Sequence, residues 1–261
     1  MSSAQIALLG AIAGFTIYLG LPIGRLQTPA PRLRAFLNSL ATGILLFLFW
    51  DVITHAWEPI DEAISNDHAG SAVGNGILLA AGVGVGLLGL VYFDRWVARR
   101  AKSDDPGDGS PTRRLAMMIA VGIGLHNFAE GLAIGNSAAA GDISLAILLI
   151  IGFGLHNATE GFGIVAPMAA GGQVPSWGYL ALLGLIGGGP TFVGTLVGQT
   201  YTNTAVSVVF LALAAGSILY VVIELLGVAR RFNLKEITTW ALLAGLVAGF
   251  LTDAIVTAAG A

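Results

Sequence analysis

Eight apolar runs, each close to 20 residues or longer, decide what this chain can fold into. They lie at approximately 4–22, 34–58, 72–97, 114–137, 142–168, 177–199, 204–228 and 237–259, and a helix needs about 20 mainly apolar residues to cross a bilayer. Backbone polar groups in lipid must be satisfied within the segment, so each run is expected as a helix. Only 10% of the residues are charged, against about 25% in soluble domains. The expected fold class is therefore an all-α membrane protein, one transmembrane domain over 1–261 with eight transmembrane helices. Its expected location is a cell membrane, multi-pass, the cytoplasmic membrane of a prokaryote. The opening Met1-Ser2-Ser3-Ala4-Gln5 has no basic segment, so the first run is expected to be retained as a span rather than cleaved as a signal peptide.

The positive charges set the orientation. All 12 Lys and Arg fall in or beside alternate connections. Arg25, Arg32 and Arg34 lie between spans one and two; Arg95, Arg99, Arg100, Lys102, Arg113 and Arg114 flank the connection between three and four. Arg230, Arg231 and Lys235 lie between seven and eight. The positive-inside rule makes these connections cytoplasmic and both termini extracytoplasmic. Trp96, Trp177, Tyr179 and Trp240 then sit at the inner interface, with Trp57 and Tyr201 at the outer one, where amphipathic rings anchor. Residues 101–112, rich in Asp, Gly and Pro, are expected as a cytoplasmic linker loop between spans three and four. The acidic stretch from Asp61 to His68 is expected as a solvated outer loop.

Two of these apolar runs carry the same costly insertion. Gly122-Ile-Gly-Leu-His126-Asn127-Phe-Ala-Glu130-Gly131 returns as Gly152-Phe-Gly-Leu-His156-Asn157-Ala-Thr-Glu160-Gly161. On a helix His, Asn and Glu at this spacing fall within an arc of roughly 100°, with His and Glu as i,i+4 neighbours. Polar side chains can serve as glue between membrane helices, and for one copy that reading competes evenly. Two copies facing each other would offer two imidazoles, two amides and two carboxylates, a nitrogen–oxygen set suited to a borderline divalent metal such as Zn2+. The chain has no cysteine, hence no thiolate ligand and no disulfide.

Other polar residues sort by depth. Asp51, His55 and Glu58 approach the outside on a shared stripe of span two, an approach lane for a cation, although for His55 and Glu58, near the interface where water reaches them cheaply, a purely structural reading competes evenly. Glu224, toward the inside of span seven, belongs to an exit; an intramembrane acid is a functional candidate by default. Asp253, near the outer end of span eight, is read as structural. Leu40-Ala-Thr-Gly43-Ile-Leu45 is echoed by Leu213-Ala-Ala-Gly216-Ser-Ile218, and eight residues after each glycine stands an acid, Asp51 or Glu224. Spans two and seven run in opposite directions, so the expected architecture is an inverted repeat (3+2+3), with the site near the midplane. Gly10/Gly14, Gly184/Gly188 and Gly194/Gly198 suit close helix contacts.

The paired His-Asn-x-x-Glu-Gly motifs, in the fourth and fifth of eight spans, resemble the ZIP family of divalent metal transporters. The segment from Leu213 to Glu224 is similar to that family's seventh span. The resemblance implies a metal importer in which His126, Asn127, Glu130, His156, Asn157 and Glu160 bind metal, often as a two-metal centre. It implies Zn2+ as transported substrate, and variously Fe2+, Mn2+ or Cd2+. It also implies an elevator-like shift of a four-helix bundle against a scaffold, often within a homodimer. Three departures stand out. Ala129 and Thr159 replace the proline common before the motif glutamate, and Gly189 stands where many bacterial members carry an acid, removing one ligand of a second metal. The long connection also has no histidine.

Two other functions compete with metal uptake. An intramembrane zinc-dependent hydrolase needs three ligands, an open position and a general base, yet the His-Glu-x-x-His signature is absent. A metal-free proton-coupled transporter would use the acids as a relay. No catalytic residue, resident cofactor or nucleic-acid patch is expected; the partners are divalent metal ions and the lipid bilayer. Only neutral imidazole binds metal, so uptake is expected to fall as pH drops through the histidine range.

Overall fold

The computed structural model describes residues 1–25, 31–103, 111–170 and 173–258. The middle of the expected linker, 104–110, lies outside the described residues. Among the described residues the chain is helical without strands, and eight segments are long and apolar enough to cross a membrane. This is a multi-pass membrane protein.

The first span is broken. α1 (Ser3–Phe15) opens on a capping box between Ser2 and Gln5, and gives way at Thr16 to the short α2 (Ile17–Gly20) and a 3-10 turn at Leu21–Arg25. The other spans are α3 (Pro31–Ser65), α4 (Ala69–Ser103), α5 (Pro111–Ala140), α6 (Ile143–Ala170), α7 (Trp177–Gly198), α8 (Thr204–Phe232) and α9 (Lys235–Ala258). α3 and α4 have 35 residues each, well beyond the about 20 that a bilayer needs. The extra length of α3 absorbs Asp61–Ser65, expected as loop: the chain stays helical through them and turns at Asp67, with φ 57°. A polar segment that can project past the lipid has no reason to stop its helix at the interface.

The helices pack as two groups. α1, α2, α5, α6 and α7 form one; α3, α4, α8 and α9 form the other. Glycines set the closest approaches in the second group. A Cβ at Gly43 would strike the Leu242 carbonyl of α9, and one at Gly245 the Leu40 carbonyl of α3. The α4–α8 contact repeats this arrangement, with Gly86 against the Leu213 carbonyl and Gly216 against that of Val83. The Leu40…Gly43 and Leu213…Gly216 echo is thus a packing device used twice, as small residues in membrane helices permit. A large apolar core joins the groups, from Leu45, Leu48 and Val52 on α3 to Ile134 on α5, Leu149 and Phe153 on α6 and Ile218 on α8.

Candidate metal centre

Both motif helices turn their polar arc inward. His126, Asn127, Glu130, His156, Asn157 and Glu160 are all buried. α5 and α6 run antiparallel, joined by the turn at Gly141–Asp142, so the two copies meet in opposite register. His126 stands level with Glu160, and Glu130 with His156. The Nε2 atoms of His126 and His156 lie 2.7 and 2.9 Å from the same oxygen, Glu160 Oε1. The imidazole rings stand 6.0 Å apart between centroids. On the other side, ligand atoms of His126, His156 and Glu130 fall within 4.8 Å of one another. Two carboxylates therefore flank one shared imidazole pair along the helix axes.

The polar atoms of this cluster are poorly satisfied by protein alone. Both oxygens of Glu130, Oε2 of Glu160 and Nδ1 of His156 are buried without hydrogen-bond partners. Leaving a buried charged group unpaired is expensive, more so in hydrocarbon. Neutral nitrogen and anionic oxygen at these separations are the donor set that a divalent cation satisfies.

The asparagines are held from outside the cluster. Asn127 Nδ2 donates to the Gly187 carbonyl of α7 at 2.9 Å, and Asn157 Nδ2 donates to the Ala13 carbonyl of α1 at 3.0 Å. Both acceptors sit at irregular points. Gly187 lies one turn before Pro190, which lacks an N–H, and Ala13 lies just before the break at Thr16. A carbonyl can only accept, so each amide nitrogen faces its partner helix and each Oδ1 is left buried and unpartnered. The closing glycine of each motif allows the same close approach: a Cβ at Gly131 would strike the Thr191 carbonyl of α7, and one at Gly161 the Ile17 carbonyl of α2.

A cavity of about 380 Å³ ends on this cluster. His126, Thr159 and Glu160 line its closed end; Arg34, Asp94 and Glu224 line it toward the end that carries the basic connections. In the other direction along α5 and α6, Ala133, Ile134, Leu149 and Phe153 pack against Leu48 and Val52 of α3. The cluster is open to one side and plugged on the other.

Residues 98–255 match the family of ZIP zinc transporters, more than half of the chain and both motif helices among them. The chain belongs to the ZIP zinc transporter family. Among curated proteins, Zinc transporter ZupT of Enterobacter sp. (strain 638) is 30% identical over 132 residues, covering 48% of this chain and 47% of that protein. Zinc transporter ZupT of Salmonella paratyphi A (strain ATCC 9150 / SARB42) is 30% identical over 133 residues with the same coverage. The aligned part thus spans about half the length of the curated relatives it matches.

The ZIP family match begins after Asp51, His55 and Glu58, which therefore stand on their own geometry. Asp51 is buried on α3, level with the plug residues Leu48 and Val52, while half-buried His55 and exposed Glu58 follow it along the helix away from the cavity. Glu224 is exposed and lines the cavity. Asp94 on α4, facing the same space, carried no sequence signal: it sits in Tyr92-Phe-Asp-Arg-Trp96, an ordinary interfacial run. Asp142, in contact with His55, was equally hidden, because its Oδ1 also accepts the Leu145 N–H at 3.2 Å and reads as a helix cap.

Proposed function

We propose that the chain carries divalent metal cations, Zn2+ above all, through the centre between α5 and α6 and toward the basic connections, which the positive-inside rule makes cytoplasmic. Fe2+, Mn2+ and Cd2+ accept the same donors. The observation that carries this reading is the pair of imidazoles shared by two carboxylates at the closed end of a one-sided cavity.

The residues divide the work. A hydrated cation exchanges water for His126, His156 and Glu130 when the plugged side opens, and the carboxylate offsets its charge away from bulk water. Glu160, one turn nearer the cavity, takes over as the second anion, so the ion advances without leaving the imidazoles. The Asn127 and Asn157 amides hold the motif helices to α7 and α1, and their free Oδ1 atoms complete or orient the ligand shell. From Glu160 the cavity leads past Asp94 and Glu224 to water. The conformation described is then the inward-facing one.

The partition into two groups supports movement of α1, α2, α5, α6 and α7 as a unit against α3, α4, α8 and α9. The matched Gly43/Gly245 and Gly216/Gly86 contacts support an inverted repeat, and the positions of the basic residues support extracytoplasmic termini. A hydrolase uses one ligand set facing one water; the mirrored carboxylates suit alternating access better. The ZIP membership likewise favours transport over enzyme chemistry and over a metal-free relay, and bacterial relatives favour a cytoplasmic membrane. The test is zinc uptake into proteoliposomes. A variant with both His126→Ala and Glu160→Ala is expected to transport at background, and wild-type rates from it would end the proposal. Thr159→Cys in this cysteine-free chain is expected to react with a polar maleimide from the side of the basic connections only.

A further inference from the structure

A second group of metal-ligating side chains lies at the opposite end of the molecule. His55 of α3 sits between two aspartates from different elements. Its Nδ1 is 2.9 Å from the Asp51 carbonyl oxygen and 3.7 Å from Asp51 Oδ1, while its Nε2 is 4.0 Å from Asp142 Oδ2 in the α5–α6 turn. A carbonyl can only accept, so Nδ1 carries the hydrogen and, in neutral imidazole, the Nε2 lone pair points at the Asp142 carboxylate. Two electron-rich atoms so placed repel unless Nε2 takes up a proton, giving an ion pair, or a metal cation lies between them. At 4.0 Å they are too far apart for a hydrogen bond, yet one ion about 2.1 Å from each would join them. A small closure brings the angle toward tetrahedral. Asp51 supplies what such a ligand needs behind it: a carbonyl that fixes the tautomer. Asp51 is 6% exposed, and its carboxylate faces the ring and keeps Oδ2 buried without a partner. Glu58 and Asp253 add negative charge within electrostatic range.

We propose that His55 Nε2 and Asp142 Oδ2, backed by Asp51, form a separate divalent-cation site outside the plug. Asp142, in the turn that caps α6, precedes His156 by 14 positions, about 20 Å along the helix axis, so this site shares no ligand with the paired-motif centre. With two protein ligands and the remainder water, it holds cations weakly and releases them readily. It also bridges the two helix groups, since α3 belongs to one and the α5–α6 turn to the other. Its role in loading rests on the transport reading above; its existence does not.

The test uses the whole purified chain with His126→Ala and His156→Ala silencing the main centre, titrated calorimetrically with Cd2+. One weakly bound ion per chain is expected to remain, and to disappear on adding His55→Ala. Asp142→Asn is the second variant, because asparagine keeps the helix cap to Leu145 while removing the charge. In proteoliposomes, His55→Ala or Asp142→Asn in the otherwise intact chain is expected to raise the KM for Zn2+ by at least about tenfold with Vmax unchanged. If the silenced chain binds no Cd2+, or binds it equally with and without His55→Ala, the contact is an ion pair only and the proposal falls. That outcome leaves the main centre untouched. Conversely, transport by the silenced chain would sink the main centre while the calorimetric result for His55 still stands.

Discussion

The first and second copies of the His-Asn-x-x-Glu-Gly motif share an imidazole contact on Glu160 but differ in the neighbours of their carboxylates, amides and glycines. On α5, Glu130 points toward the plug, fully buried, with neither oxygen partnered. On α6, Glu160 lines the cavity and receives both imidazoles on one oxygen. Asn127 and Gly131 lean on α7, a helix unbroken from Trp177 to Gly198, whereas Asn157 and Gly161 lean on the broken first span. An antiparallel turn between identical motifs converts a repeat in sequence into opposite depths in the membrane. One carboxylate is thereby assigned to each side of a shared imidazole pair.

The largest expected effect removes what the copies share. His126→Ala with His156→Ala takes the only nitrogen ligands from both carboxylates, so stoichiometric Zn2+ or Cd2+ should vanish from the main centre and uptake should fall to background. Metal analysis of purified protein alongside a liposome assay checks both. Next comes the contrast between the carboxylates. Glu160→Gln and Glu130→Gln are each expected to lower metal affinity by at least about 10- to 100-fold, the loss that follows when even an outer-shell partner of a ligand is removed. Thermal unfolding should separate them: Glu160→Gln breaks two imidazole contacts and costs about 1–3 kcal/mol, while Glu130→Gln removes none and leaves the metal-free stability near its starting value. Equal destabilisation by both would mean that the two depths are not distinct environments.

Glycine tests the partner helices. Gly131→Val forces a side chain into the Thr191 carbonyl of a continuous helix, and Gly161→Val into the Ile17 carbonyl beside a break. Overpacking costs about 1–3 kcal/mol, and Gly131→Val should lie at the upper end because its Cβ would meet the Thr191 carbonyl more closely than one at Gly161 would meet that of Ile17. Loss of monodisperse protein on size exclusion, graded between the two variants, is the measurement.

Much of this was legible beforehand. Eight spans followed from run lengths alone, and the motif pairing from two identical spacings, since a 3.6-residue period fixes which side chains share a face. The register between α5 and α6 was not legible. Helical periodicity gives the angle of His126 around its axis and says nothing about whether Glu160 or His156 stands beside it; the tertiary packing of α5 against α6 decides that. The break at Thr16 was hidden too, because Gly10 to Gly24 reads as one apolar run and nothing in hydropathy reports a lost turn. The contact between His55 and Asp142 joins residues 87 positions apart, a distance across which no local pattern extends.

The smallest expected effect is also the sharpest probe of the asymmetry. Asn127→Ala and Asn157→Ala each delete one amide-to-carbonyl bond, worth about 1 kcal/mol in general and about 0.6 kcal/mol between membrane helices. The acceptors, however, are not equally dependent. The Ala13 carbonyl also receives the Thr16 hydroxyl at 2.7 Å, so losing Asn157 still leaves it a side-chain donor. Gly187 has Asn127 as its side-chain donor and lies in the turn already loosened by Pro190. Asn127→Ala should therefore destabilise the protein more than Asn157→Ala, and combining Thr16→Ala with Asn157→Ala should close the gap. A double-mutant cycle on these two residues, followed by thermal unfolding, reads the coupling directly. Strict additivity between Thr16 and Asn157 would show that the break in the first span does not depend on the second motif.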